Sequence, residues 1–241
     1  MGGIPKFALL AIALPKIKTN WIQEFSNGLF SCAKKYGVEL IGGDTTKGSL
    51  SISICILGEV SKKNVLFRSN AKKEDDIWVT GELGIAALGL ANIQNKVQLP
   101  QSLAKKSISA LEKPMLYPPI IKKIAKLSHS AIDISDGLIS DLNHILENSK
   151  VGADIFLNTL PIHPWIRKNK LFDIALCGGD DYQLIFTAPQ KNRNKINILN
   201  KVPSLKLTRI GSINKNKHLN IIDNKGMLYK INKRGFNHFE T

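Results

Sequence analysis

Asp133 and Asp136 stand three residues apart in the stretch Ala131-Ile132-Asp133-Ile134-Ser135-Asp136-Gly137-Leu138, in a chain with 34 Lys and Arg against 19 Asp and Glu. Ala131, Ile132 and Ile134 read as the end of a buried strand. Leu138, Leu142, Ile145 and Leu146 then fall on one face of a helix. The carboxylates thus lie where a strand runs out and a helix begins, with Ser135 or Asp136 expected as the N-cap. Ligands of α/β proteins gather at such edges, and the free amides of a helix N-terminus favour phosphate. Carboxylates alone would repel phosphate, so two of them at a phosphate site imply a bridging hard cation, magnesium above all. The same residues equally allow a plainer arrangement, in which Asp136 caps the helix and Asp133 accepts backbone hydrogen bonds.

Two further stretches have the composition of a site. In Gly42-Gly43-Asp44-Thr45-Thr46-Lys47-Gly48 the glycines permit close backbone approach to a ligand. Asp44 can hold a cation there, and the threonines offer hydroxyls to phosphate or metal. The alternative is a tight turn. In Cys177-Gly178-Gly179-Asp180-Asp181-Tyr182 a glycine pair again precedes acids, which either meet a cationic group or close a turn. A third turn, Gly81-Glu82-Leu83-Gly84, lacks the full phosphate-loop pattern. Close helix packing through Gly84, Ala86, Ala87 and Gly89 explains it at least as well.

The elements that must carry these turns follow from periodicity. Phe7 to Leu14 reads as a buried strand. Ile22, Phe25, Leu29, Ala33 and Tyr36 recur at helical spacing up to a stop at Gly37, and Val38 to Ile41 forms a short strand running into the Gly-Gly-Asp loop. Leu50, Ile52, Ile54 and Ile56 alternate as a half-buried strand. The polar segment from Val60 to Lys73 is the expected domain boundary. Beyond it come a strand at Ile77–Thr80, two helices between Leu103 and Leu127 divided by Pro114, Pro118 and Pro119, and strands at Asp154–Leu157, Thr208–Ile213 and Leu219–Ile222.

At 241 residues the chain can bury a full core, and 43% hydrophobic residues suit a globular protein. Cys32, Cys55 and Cys177 are too far apart for a zinc or disulfide framework, which fits a reducing compartment and hence the cytoplasm. The net charge of +15 is scattered among Asn and Ile without runs or interleaved aromatics, which argues against a nucleic-acid partner. The N-terminal apolar run is too short for a signal or a membrane span, so no membrane partner is expected.

The three acidic motifs in this order, together with Arg68-Ser69, Val79-Thr80-Gly81 and the ending Lys233-Arg234-Gly235-Phe236-Asn237-His238-Phe239, resemble the thiamine-monophosphate kinase family. That family belongs to the aminoimidazole ribonucleotide synthetase-like superfamily. The resemblance implies an α/β fold: an incomplete N-terminal α/β domain over residues 1–66, followed by a C-terminal α/β domain with a mixed sheet over residues 67–241. It implies a cytoplasmic transferase, a kinase that moves the γ-phosphoryl of ATP directly onto thiamine monophosphate with Mg²⁺, giving thiamine diphosphate, with no catalytic nucleophile or base from the chain. By the same resemblance Asp44, Asp133 and Asp136 are magnesium ligands. Gly43, Asp44, Arg68 and Ser135 bind the nucleotide, and Asp180 and Phe236 meet the cationic thiamine moiety.

Two departures accompany the resemblance. The family has Glu where this chain has Asp180, and it begins with an acidic segment, including a Gly-Asp-Asp loop, that has no counterpart in these 241 residues. The expectation is therefore weak or absent turnover by the 241 residues alone, and a homodimer once such a segment is supplied. The alternatives are another ATP-dependent synthetase of the superfamily, or a non-catalytic remnant that binds nucleotide or thiamine phosphates.

Overall fold

The computed structural model describes residues 2–116, 118–200 and 205–231. It separates into two units, Gly2–Val65 and the residues from Leu66 onward.

In the first unit strand β1 (Ile4–Leu14) is followed by helix α1 (Thr19–Tyr36), and strands β2 (Glu39–Lys47) and β3 (Ser51–Glu59) flank β1. β2 runs parallel to β1 and β3 antiparallel. The expected face of α1, from Ile22 to Tyr36, is partly buried, and Gly37 ends the helix in the left-handed conformation at φ 66°.

Two expectations fail in this unit. The Gly42–Thr46 stretch is not a loop, because β2 continues through it with Asp44 opposite Ala11 and Thr45 opposite Ile12. Gly and Asp are weak strand formers, so the composition reads as a turn. Here the glycine answers a neighbour: at Gly43, with φ 148°, a Cβ would lie 1.8 Å from the carbonyl oxygen of Leu10. The close approach is therefore to β1. β3 does form, but it is not half-buried, since Ile52, Ile54 and Ile56 are 41%, 46% and 54% exposed. The run in β1 is likewise buried only at Ala8, Ile12 and Leu14. Among the described residues of this unit, the sheet leaves most of its apolar side chains in contact with water.

The second unit comprises β4 (Asp76–Thr80), α2 (Ile85–Ile93), α3 (Gln101–Glu112), α4 (Pro118–Ala125), β5 (Ser130–Asp133), α5 (Leu138–Ser149) and β6 (Gly152–Phe156). It continues with α6 (Pro164–Lys168), α7 (Phe172–Cys177), β7 (Leu184–Ala188), α8 (Arg193–Leu199), β8 (Leu207–Asn214) and β9 (Leu219–Ile222). The strands form one sheet in the order β5-β7-β4-β8-β6-β9. Neighbours are antiparallel except β6 and β9, which are parallel. This is the mixed sheet of the expected fold class.

Alternation in the central strands feeds two cores. Ile77, Val79, Ile132 and Ile185 pack with Leu138, Leu142 and Ile145 of α5 and with Leu176 of α7. Trp78, Ala131 and Phe186 turn the other way, onto Ile120 and Ile124 of α4 and Ile196 of α8. Because both faces are covered, β4 and β7 are buried at every residue. Each fully buried Ile or Leu contributes about 1.5–3 kcal/mol, which makes the sheet a stiff base for the turns at its ends. Registers set those ends: Asp76 pairs with Ala188 and Ser130 with Thr187 at one edge, while Val79 pairs with Ile185 and Asp133 with Leu184 near the other.

Candidate active site

At the edge formed by Thr80, Asp133 and Leu184, two of the acidic motifs meet. The pairing of β5 with β7 extends past the strands: Ile134 N–H donates to the Gln183 carbonyl at 2.7 Å, Tyr182 N–H to Ile134 at 2.8 Å, and Asp180 N–H to Ser135 at 2.9 Å. The turn after β5 thus lies against the Gly-Gly-Asp-Asp-Tyr segment. Glycine is required on both sides of this contact. A Cβ on Gly137, with φ 115°, would lie 2.7 Å from the carbonyl carbon of Cys177, and one on Gly179 would lie 2.3 Å from the Ser135 carbonyl oxygen.

Neither Ser135 nor Asp136 caps α5. The N-cap is Gly137, with no side-chain cap bond, and Oδ2 of Asp141 accepts from the N–H groups of Ser135 and Asp136, both at 3.0 Å. This corrects the capping expectation: an aspartate one turn into the helix holds two amides of the turn that precedes it. Asp141 is only 2% exposed. Burial pushes its carboxyl above the ordinary carboxylate range, the two amide donations pull it back, and Asp136 and Asp133 push it up again.

The adjacent acids Asp180 and Asp181 divide their work. Asp181 is buried, and its carboxylate accepts from Gly84 N–H at 2.6 Å and Ala86 N–H at 3.2 Å, at the start of α2. Burial raises its pKa to about 7 against those amide bonds, with Asp180 adding to the rise. With Gly81 N–H donating to Lys206 and Leu83 N–H to Pro161, three of the four amides of the Gly81–Gly84 turn are engaged, and packing explains the glycines here: a Cβ on Gly84 would meet Ala175, and one on Gly89, in α2, would meet Ser107. Asp180 and Tyr182 flank this anchor in left-handed conformations, φ 66° and 46°, and Tyr182 is 42% exposed. Burial first, then the charges of Asp180, Asp133 and Asp136, raise the Tyr182 pKa. One phenol thus lies in the field of all three carboxylates. Among the described residues no hydrogen bond or ion pair engages the carboxylates of Asp133, Asp136 and Asp180.

The structure brings together Asp133, Ser135, Asp136 and Asp180. Arg68 belongs to the same unit, but its carbonyl accepts from Ser149 Oγ at 3.0 Å, at the far end of the 12-residue α5. At 1.5 Å per residue that is about 18 Å from the acidic turn, so Arg68 and Ser135 cannot grip the same ligand group. Gly43 and Asp44 belong to the first unit, and Phe236 lies outside the described residues. Among the described residues no three His, Cys, Asp or Glu side chains assemble a metal site by themselves. Beside the acidic turn, beyond Asp181 and Gln183, a cavity of about 580 Å³ is walled by Gly81, Ile85, Lys106, Lys113 and Lys206. Glu82 lines it too and pairs with Lys106, and Asp133 and Asp136 take no part in it.

Sequence reasoning missed Asp141. Its signal was available: an acid at i+3 of the apolar stripe Leu138, Leu142, Ile145 is a charge aimed at the core, and such charges need partners.

Residues 1–60 match the family AIR synthase related protein, N-terminal domain, and residues 72–224 match AIR synthase related protein, C-terminal domain. The thiamine-monophosphate kinase of Buchnera aphidicola subsp. Schizaphis graminum is 45% identical, over 99% of this chain and 76% of its own length. Among solved structures, the thiamine-monophosphate kinase from Stenotrophomonas maltophilia K279a superposes with TM-score 0.87 at 35% identity, covering 95% of this chain and 74% of that one. AaThiL complexed with AMPPCP and TMP gives TM-score 0.83 at 28% identity, covering 99% of this chain and 75% of that one.

Proposed function

The chain belongs to the thiamine-monophosphate kinase family, and from that premise we propose that it transfers the γ-phosphoryl of ATP to thiamine monophosphate, giving thiamine diphosphate and ADP. The observation that carries this reading is the meeting of the Ser135-Asp136 turn with the Gly179-Asp180 segment, which brings three acids to one edge with no cationic partner among the described residues, in a chain of net charge +15. Two phosphate groups must approach each other in the reaction, and Mg²⁺ supplies the charge that offsets their repulsion. Asp133 and Asp136 fit such an ion, being hard oxygen donors on one turn with their charges unspent.

Asp133 and Asp136, joined by Asp44, are the proposed magnesium ligands. Gly43, Asp44, Arg68 and Ser135 are the proposed nucleotide contacts, with Arg68 and Ser135 serving different parts of the nucleotide because α5 separates them. Asp180 and Phe236 are the proposed contacts to the thiamine moiety, an acid and an aromatic ring for its cationic heterocycle. The chain contributes positioning and charge, and no side chain forms a bond to phosphorus. His129 and His163 have other work: the first pairs with Asp75 at 2.9 Å and the second accepts from Trp165 N–H at 3.2 Å. A homodimer, once the additional segment is supplied, is the proposed assembly, and the exposed apolar side chains of the first sheet, Phe7, Leu9 and Leu57 among them, are consistent with it. No described helix is long and apolar enough to cross a membrane. ATP as a substrate favours the cytoplasm.

The test is stoichiometric formation of thiamine diphosphate and ADP, with and without Mg²⁺, by the 241-residue chain and by the chain joined to the additional segment its relatives carry. Magnesium-dependent turnover in either supports the reading. Its absence in both, with folded protein, contradicts it.

A further inference from the structure

We propose that Asp141 is the positioning residue that makes the Ser135-Asp136 turn a cation site rather than an anion site; this rests on the magnesium reading above. A strand-to-helix turn with unused amides attracts phosphate directly. Here two amides of that turn, Ser135 N–H and Asp136 N–H, both end on one oxygen of Asp141, each at 3.0 Å. The same residue donates its own N–H to the Gly137 carbonyl at 3.0 Å, which begins α5. Asp141 therefore ties both ends of the turn to the first helical turn. It does so from a position closed on one side by the core residues Leu138 and Leu142. Gly137, with no space for a Cβ against Cys177, keeps the turn tight enough for the reach.

The consequence is a division of polarity. These two amides face inward onto a buried acceptor, and among the described residues the carboxylates of Asp133 and Asp136 have no protein partner. Outer groups that orient metal ligands in this way typically change metal affinity by about 10–100-fold when removed. The contact uses a single oxygen, so an amide side chain can reproduce it, whereas alanine cannot.

The experiment compares Asp141→Asn and Asp141→Ala with wild type by two measurements: calorimetric binding of Mg²⁺ alone, and hydrogen exchange of the Ser135 and Asp136 amides. Asp141→Ala is expected to weaken Mg²⁺ binding by about 10-fold or more and to speed exchange at both amides. Asp141→Asn is expected to stay within about threefold of wild type and to keep the protection. Should the alanine variant fail to fold, the asparagine variant still decides, since a loss of affinity there with protection intact assigns the effect to charge and overturns the positioning role. Equal Mg²⁺ affinity in wild type and Asp141→Ala overturns this assignment alone. No Mg²⁺ binding by the wild type overturns the magnesium reading and this assignment with it.

Discussion

At the edge of the six-stranded sheet where β4 begins, Asp75 and Asp76 are buried with side-chain partners beside them. Asp75 meets His129 Nδ1 at 2.9 Å, and Asp76 accepts from Arg193 at 2.5 and 2.7 Å and from Arg209 at 3.3 Å. At the edge where β4 ends, Asp141 and Asp181 are equally buried but accept only backbone amides, and Asp133, Asp136 and Asp180 have no partner among the described residues. The lysines near the second edge, Lys106, Lys113 and Lys206, line the cavity beyond Asp181, and among the described residues none of them pairs with Asp133, Asp136 or Asp180. Unpaired carboxylates on adjoining turns at the end of a stiff sheet are what a diffusible cation and a cationic substrate require. One edge uses charge to hold the fold, the other to hold a ligand.

The comparison breaks most visibly at Asp133 and Asp136. Replacing either with Asn keeps the volume and removes the charge. In the chain joined to the additional segment its relatives carry, magnesium-dependent turnover is expected to fall by about 100-fold or more, with a melting temperature within a few degrees of that parent chain. Near-normal kcat at ordinary Mg²⁺ would show that these acids do not serve the reaction.

Asp76→Ala should do the reverse. Its partners are partly exposed and can rehydrate, so the expected cost is about 1–3 kcal/mol of stability. That is several degrees in melting temperature, with the KM for both substrates unchanged in the folded fraction. A selective loss of substrate affinity would erase the distinction between the edges.

A smaller effect sharpens the role of Asp181. Its pKa rises from an ordinary 3.8 to about 7 on folding, so the folded state binds the proton more tightly. Stability from this group is greatest below pH 3.8 and declines as pH rises through the window up to about 7. Asp181→Asn should flatten that part of the profile of melting temperature against pH, and parallel profiles would contradict it.

The smallest change is expected at Asp180. Glu there should leave the KM for thiamine monophosphate within about threefold, or improve it, because one methylene is worth little in a solvated acid. Ala should raise that KM more than the KM for ATP. Harm confined to the ATP KM would move Asp180 out of the thiamine contacts.

The parts of the fold that were legible in the sequence are those where burial alone dictates pattern. The stripe Leu138, Leu142, Ile145, Leu146 specified α5, and the stop at Gly37 specified the end of α1. What escaped was decided by neighbours distant in sequence. Gly42–Thr46 reads as a loop until Leu10 of β1 is placed against Gly43. α6 and α7, of five and six residues, are too short for periodicity to register. In the site, the acids facing solvent were visible as motifs, while the two that hold them, Asp141 and Asp181, looked like part of a helix and part of a turn. Their roles depend on which amides the tertiary fold brings within 3 Å or so.

The most direct test of the account follows the backbone amide signals at both edges by NMR while Mg²⁺ alone is added. The account predicts saturable shifts at Asp133, Asp136 and Asp180, none at Asp75 and Asp76, and loss of the response in Asp133→Asn. Shifts of equal size at the two edges, or no shift where β4 ends, would contradict it.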